Sequence, residues 1–125
     1  MKEKNYYLRA GHSCWELAKL YGFAPGNIVK YLWRWHGKNG LDDLWKALDY
    51  QTRCAHDDLA IRPLDKKGEK QAASIIIDLL EHDMGMTEEE ANCWIALMQG
   101  DGLALGKALH RLIWSVQDPY KLGQE

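Results

Sequence analysis

Apolar residues recur every three or four positions along nearly the whole chain, and glycine or proline separates one recurring segment from the next. No segment shows the sustained alternation of apolar and polar residues that is typical of a half-buried strand. The pattern therefore predicts an all-α fold, in which residues 1–125 form a single compact domain of about six helices built from helical hairpins.

Three helices are predicted in the amino-terminal half. The first begins at Ser13, which starts a capping-box pattern, and ends at Tyr21. The second runs from near Pro25 to a glycine-rich turn at residues 37–40, and the third spans residues 41–56. The residues expected on the apolar sides of the first and third helices include Trp15, Leu17, Ala18, Leu41, Leu44, Trp45 and Leu48.

Residues 58–68 are predicted to form a connection. They contain Pro63 and a run of charged residues, which are typical of a segment between helices. The connection divides the chain into an amino-terminal region, residues 1–57, and a helical carboxyl-terminal part, residues 69–125.

The carboxyl-terminal part contains three more predicted helices. The fourth covers residues 69–82 and carries an aliphatic face. Thr87 is the expected N-cap of the fifth helix, which ends at residues 98–99. The sixth begins at Leu103, and Pro119 ends it.

The overall charge argues against a protein that coats nucleic acid. The chain carries 16 Lys and Arg residues against 18 Asp and Glu residues, so its formal net charge is −2. The last two helices have the outline of a helix-turn-helix, but the second of them opens with residues 103–107, which are too apolar to read base edges. The net charge does not exclude a basic surface confined to one side of the protein.

The apolar runs are too short for a membrane segment. The longest aliphatic run is Ile75–Ile77, whereas a membrane span needs roughly 18 apolar residues. No apolar block near the start suits a signal peptide, so we expect a cytoplasmic protein without membrane association. The three cysteines are widely spaced and are expected to be core thiols.

The aromatic composition points to a partly exposed surface. Six Trp and six Tyr residues accompany a single Phe. Trp and Tyr combine an apolar ring with a polar group, and proteins use them at interfaces and in stacking pockets. We therefore expect some of these rings to contact a ligand, a partner or a second copy of the chain.

The densest group of candidate functional residues lies between Gly26 and Tyr50. Lys30 and Arg34 are one turn apart and project from the same side of the second helix, where they suit a phosphate group. The alternative is a solvated basic face, with the acids that follow serving as helix caps. Further members of this group are Lys38, Lys46, Asp42, Asp43, Tyr31 and Trp35.

Two motifs in this segment carry a family resemblance. The first reads Gly26-Asn27-x-x-Lys30-Tyr31-x-x-Arg34, and the second, after Lys38, reads Asp42-Asp43-Leu44-x-Lys46-Ala47-x-x-Tyr50. Together they resemble the signature of a small tailed-phage domain family of unknown function that is related to the phage nucleotide kinase. The resemblance extends over residues 7–50.

The resemblance implies phosphoryl transfer from a nucleoside triphosphate to a deoxynucleoside monophosphate, with Mg²⁺ and without a Walker motif. It also implies a phage-encoded protein that acts in the cytoplasm of its bacterial host. On this implication the catalytic residues are Asp43 and Lys46, and the nucleotide-binding residues are Asn27, Lys30, Tyr31, Arg34, Trp35 and Lys38.

One departure from the family pattern favours binding over catalysis. Family members open with a His-Pro-x-His-Tyr element, whereas residues 3–7 of this chain keep an aromatic residue but neither histidine. Three alternatives to an enzyme therefore stay open. The chain can sequester a signal nucleotide, bind a host protein, or form a helical homo-oligomer through its aromatic residues.

Two acidic segments contain side chains of the types that bind metal ions. Residues 54–58 hold adjacent potential ligands that point in different directions on a helix. Asp78, Glu81, His82 and Asp83 are followed by Glu88–Glu90, but their spacing does not match the paired ExxE and ExxD carboxylates of helical Mg²⁺ enzymes. The favoured interpretation is a solvated face followed by a helix start, and no metal ligand is predicted.

Overall fold

The computed structural model describes residues 8–117 and has six helices and one short β-hairpin in that part of the chain. The all-α prediction is therefore confirmed in its main feature, and the hairpin is an addition to it. The elements are β1 (Leu8–Arg9), β2 (His12–Ser13), α1 (Cys14–Ala18), α2 (Phe23–Arg34), α3 (Leu41–His56), α4 (Lys66–His82), α5 (Glu88–Gln99) and α6 (Gly102–Gln117).

The hairpin that precedes α1 escaped the pattern analysis because each strand has only two residues. Leu8 pairs with Ser13 in an antiparallel register, and Arg9 pairs with His12. Ala10 and Gly11 form the connection with φ angles of 49° and 80°. Two successive positive φ angles match the twist of a tight hairpin, so this turn brings Arg9 and His12 side by side.

Helix α1 begins as predicted and ends early. Ser13 Oγ accepts a hydrogen bond from the Glu16 amide at 3.3 Å, and Glu16 Oε1 accepts one from the Ser13 amide at 3.2 Å. The helix ends at Ala18 rather than Tyr21, because Tyr21 instead forms a bridge with Pro63. The predicted burial of Trp15 is wrong, since this side chain is 68% exposed.

Helices α2 and α3 form the predicted hairpin. Helix α2 begins at Phe23, slightly before the predicted Pro25, and α3 has the predicted bounds. Gly26 allows α1 and α2 to approach closely, because a Cβ there would lie 3.3 Å from the Ala18 carbonyl oxygen. Trp45, expected on the buried side of α3, is 46% exposed.

The connection before α4 is shorter than predicted and packs into the fold. Asp65 accepts a hydrogen bond from the Gly68 amide at 2.7 Å and caps α4, which therefore begins at Lys66 instead of residue 69. Within the connection, Ile61 is buried, and the Leu64 amide donates to the Leu20 carbonyl oxygen at 2.9 Å.

The last two helices agree closely with the sequence pattern. Thr87 caps α5 through a hydrogen bond from the Glu90 amide to its hydroxyl at 3.2 Å, and α5 ends at Gln99 as expected. Helix α6 follows after a short turn and is described as far as Gln117. The predicted stop at Pro119 lies outside the described residues.

The core lies where α2, α3, α5 and α6 pack together. Trp33 of α2 and Trp94 of α5 meet edge to face with ring centroids 6.0 Å apart, and both side chains are buried. No helix within residues 8–117 is both long and apolar enough to cross a membrane. The side chains of Cys14, Cys54 and Cys93 are buried thiols that form no disulfide bond within residues 8–117, and burial raises the pKa of the last two.

A buried ionic network attaches the hairpin to α4 and α5. Arg9 donates to Asp83 at the end of α4, and its Nη2 atom lies 2.8 Å from Glu90 Oε2 of α5. The fully buried Glu90 also accepts a hydrogen bond from Trp94 Nε1 at 2.9 Å and contacts His36 Nε2 at 2.6 Å. Each of these contacts stabilises the charged carboxylate.

The network sets the charge state of Glu90. Burial raises the pKa of this carboxyl. The hydrogen bond with His36, the charge of Arg9 and the hydrogen bond from Trp94 together lower the pKa by more than burial raises it, so that it lies below its ordinary value of 4.5. The stability that Glu90 contributes is therefore present above the pKa of the unfolded chain. It is lost as the pH falls through the lower pKa of the folded chain.

We expect Glu90→Gln to lower the free energy of unfolding by about 3 kcal/mol at pH 7, because the change leaves Arg9 undercompensated in a buried site. Urea denaturation measures this loss. The difference from the unaltered chain should shrink as the pH is lowered below 4.5. Glu88→Gln, on the exposed side of the same helical turn, is the control. Equal losses in the two variants at pH 7 would contradict the role of the network.

Candidate functional site

Two of the predicted site residues face each other in the interior. Arg34 lies in the last turn of α2, and Asp43 lies in the first turn of α3. Arg34 Nε is 3.2 Å from Asp43 Oδ2, and Nη2 is 3.3 Å from Oδ1. The Asp43 side chain is fully buried and that of Arg34 is 8% exposed. This bidentate ion pair joins the two helices across their connecting turn.

Three cations, one of them Arg34 of this pair, lie around one aromatic ring. The Lys30 ammonium and the Arg34 guanidinium each lie 5.0 Å from the centroid of the Tyr31 ring, and the Lys46 ammonium lies 5.5 Å from it. These distances are typical of cation–π contacts. The Tyr31 ring stacks on Tyr50 of α3 with centroids 6.1 Å apart. The adjacent faces of α2 and α3 are therefore both aromatic and basic.

The aromatic row continues toward α1. Tyr50 contacts Phe23 edge to face with centroids 6.1 Å apart. Phe23 is 80% exposed and lines a groove of about 600 Å³ between α1 and α2. Trp15, Asn27 and Lys30 line the same groove.

We call these side chains together the aromatic-basic surface. It consists of Trp15, Phe23, Asn27, Lys30, Tyr31, Lys46 and Tyr50.

The aromatic-basic surface has an excess of positive charge. Within residues 8–117, no carboxylate oxygen lies within 4.0 Å of the Lys30 or Lys46 ammonium. The nearby acid Asp49 pairs with Arg53 at 3.0 Å instead. The surface is therefore locally basic although the whole chain has a net charge of −2.

Two further predicted site residues, Trp35 and Lys38, are not among the side chains that define this surface. Trp35 is buried, and its ring centroid is 3.7 Å from that of His36. Its Nε1 atom has no hydrogen-bond partner in the described part of the chain. Lys38 is exposed in the turn between α2 and α3.

Some members of the surface were not recognised from the sequence. The sequence pattern predicts Trp15 on the apolar side of α1 and makes no prediction for Phe23. Both rings lie in apolar stretches of the sequence, so the residue type does not show whether a position is exposed or buried. No sequence signal distinguished them.

A second polar cluster joins β2, α1 and α4. His12 Nδ1 lies 2.8 Å from Glu16 Oε2, and His12 Nε2 lies 2.8 Å from Asp78 Oδ2. The hydrogen bond with Asp78, followed by that with Glu16, raises the pKa of His12 above its ordinary value. The same contact with His12 lowers the pKa of Glu16.

Comparison with known proteins finds a similarity in the amino-terminal region. Residues 12–52 match the model of a family described as a protein of unknown function (DUF3310), which is about a third of the chain. This match includes both sequence motifs, α1, α2 and most of α3. No curated protein and no solved structure gives a significant match. The matched region is thus similar to a small domain whose function is not known.

We expect Arg34→Ala to lower the free energy of unfolding by about 3 kcal/mol, because it leaves the Asp43 carboxylate buried without its partner. Chemical denaturation at neutral pH measures the effect. Lys30→Ala, which removes an incompletely buried cation from the same helix, should change stability by less than about 0.5 kcal/mol.

A double variant tests the pair itself. The double variant Arg34→Met/Asp43→Leu replaces both charged side chains with apolar ones. It should lose less stability than either single variant, because no buried charge is left without a partner. Additive losses in the double variant would contradict a direct interaction between these side chains.

Proposed function

We propose that this protein binds a nucleoside phosphate on the aromatic-basic surface. In this proposal the Lys30 and Lys46 ammonium groups hold the phosphate, and the base stacks against Phe23 and Trp15 at the groove between α1 and α2. Asn27 donates its Nδ2 hydrogen to the Phe23 carbonyl oxygen at 2.8 Å, so its Oδ1 atom is the group that accepts from base or sugar.

The observation that carries the proposal is the combination of unneutralised cations with exposed rings. An isolated exposed Trp or Phe side chain is common on protein surfaces and does not by itself indicate a binding site. Contact with a ligand that buries exposed aromatic surface is nevertheless favourable. Here the two rings border one groove of about 600 Å³, which is within the range of small-ligand pockets, and Lys30 lies in its wall. A ligand with a flat ring and a negative charge satisfies both features.

The proposed function is nucleotide binding rather than phosphoryl transfer. Phosphoryl transfer needs Mg²⁺ as a charge-neutralising ion near the transferred group. Asp43, the acid that the family resemblance implies for this role, has both oxygens on Arg34 and no exposed surface, so it does not suit a metal-bound water. The phage origin and the bacterial cytoplasm remain part of the proposal and are supported by the family resemblance.

A second candidate function uses the same surface. Trp15 and Phe23 are 68% and 80% exposed, which also suits contact with a host protein or with a second copy of the chain. In that case the groove holds a side chain rather than a base. Nucleotide binding is favoured because, within residues 8–117, no carboxylate oxygen lies within 4.0 Å of the Lys30 or Lys46 ammonium.

A thermal-shift screen followed by isothermal titration calorimetry tests the proposal. Nucleoside mono-, di- and triphosphates and cyclic dinucleotides are added with and without Mg²⁺. We expect a selective ligand at 100 times its dissociation constant to add about 2.7 kcal/mol of stability. Lys30→Ala and Lys46→Ala should each raise the dissociation constant about tenfold, which corresponds to about 1.4 kcal/mol.

Two further variants complete the design. Phe23→Ala should weaken binding about tenfold by removing a stacking surface, and should not lower the melting temperature because the ring is 80% exposed. Lys107→Ala, an exposed cation on α6, is the control and should bind as the unaltered chain does. A flat screen, or equal effects of Lys30→Ala and Lys107→Ala, would overturn nucleotide binding at this surface.

A further inference from the structure

The last turns of α4 bring three metal-binding side chains together. Asp78, Glu81 and His82 occupy positions i, i+3 and i+4 of the helix, so they share one face. One ligand atom from each lies within 4.8 Å of the other two. Asp78 is partly buried, whereas Glu81 and His82 are exposed and free to adjust. The group is open to solvent, which leaves a path for an ion to enter.

A fourth side chain with a nitrogen donor, His12 of the hairpin, contacts Asp78 of this group. His12 of β2 places Nε2 2.8 Å from Asp78 Oδ2, while its Nδ1 atom lies 2.8 Å from Glu16 of α1. A carboxylate on one ring nitrogen orients the other nitrogen, and this is how proteins hold histidines that bind metals. Because His12 belongs to a different element, the cluster is more than an acidic helix face.

We propose that His12, Asp78, Glu81 and His82 bind a divalent transition metal ion of the zinc type. Two imidazole nitrogens and two carboxylate oxygens make a donor set that suits Zn²⁺, Co²⁺ or Ni²⁺, whereas Mg²⁺ and Ca²⁺ prefer oxygen ligands alone. Neighbouring ligands on one tetrahedral zinc ion lie about 3.3 Å apart, because each ligand bond is about 2.0 Å long. The ligand atoms of Asp78, Glu81 and His82 now lie within 4.8 Å of one another, and in the proposed complex rotation of the exposed Glu81 and His82 side chains brings them to this shorter distance. His12 is positioned by its contact with Asp78.

Binding exchanges one proton for the metal ion at His12. The ring nitrogen Nε2 now shares a hydrogen with Asp78, and in the complex the metal ion takes the place of that hydrogen, which leaves to solvent. The Nδ1 hydrogen stays on the ring and is donated to the Glu16 carboxylate. The metal ion then crosslinks β2 to α4 and holds α1 through Glu16. This site is independent of the nucleotide proposal, since it uses none of the residues of the aromatic-basic surface.

Isothermal titration calorimetry of the tag-free full chain with Zn²⁺, and absorption spectroscopy with Co²⁺, test the site. We expect one ion per chain and a Co²⁺ spectrum of nitrogen and oxygen ligands without a thiolate charge-transfer band, because the described cysteines are buried. His82→Ala and Asp78→Asn should each raise the dissociation constant at least about tenfold. Mg²⁺ at the same concentrations should give no heat.

His110→Ala is the matched control, because His110 is an exposed histidine on α6. It should bind Zn²⁺ as the unaltered chain does. The His82 side chain is 65% exposed, so its removal leaves the fold intact, and circular dichroism checks this. The proposal is overturned if Zn²⁺ does not bind at about 1 mM, if His82→Ala and His110→Ala bind equally, or if the Co²⁺ spectrum shows thiolate ligands.

Discussion

The buried ion pair between Arg34 and Asp43 is the constraint on which the α2–α3 hairpin and its surface depend. A charge inside a protein needs a partner at a fixed distance and angle, so the bidentate contact leaves little freedom in how these two helices meet. That arrangement stacks Tyr31 on Tyr50 and brings Lys46 beside the Tyr31 ring. The pair thus has a positioning effect on the aromatic-basic surface, although both of its charges face inward.

A second buried carboxylate plays the corresponding role where the hairpin meets α4 and α5. Glu90 of α5 contacts Arg9 of the hairpin, His36 of the turn after α2, and Trp94 of its own helix. The hairpin has too few residues to be stable alone, and this network together with the His12 contact to Asp78 holds it against α4 and α5. The two sites proposed for ligands therefore lie on helices whose relative positions are set by charges buried elsewhere.

Helix caps and turns carried most of what could be predicted from the sequence. The bounds of α3 and the N-cap of α5 followed from a glycine-rich turn and from Thr87, because such signals are local. The hairpin was missed because alternation cannot be detected in two-residue strands. Lys30 was predicted as a site residue from its helical spacing to Arg34, whereas Asn27 was predicted only from the family resemblance. The burial of Arg34 and Asp43 was not, since a contact between helices depends on how they pack and leaves no periodic signal in one sequence.

An NMR titration of the isotopically labelled chain with each deoxynucleoside monophosphate in turn tests the central claim most directly. The account predicts that chemical-shift changes cluster on the indole of Trp15 and on the amides of residues 23–31 and 46–50, which carry the aromatic-basic surface. Amides around Glu90 should stay unchanged, because that network has no part in ligand binding. Shifts confined to the Glu90 region, or no shifts with any of the nucleotides, would contradict the account.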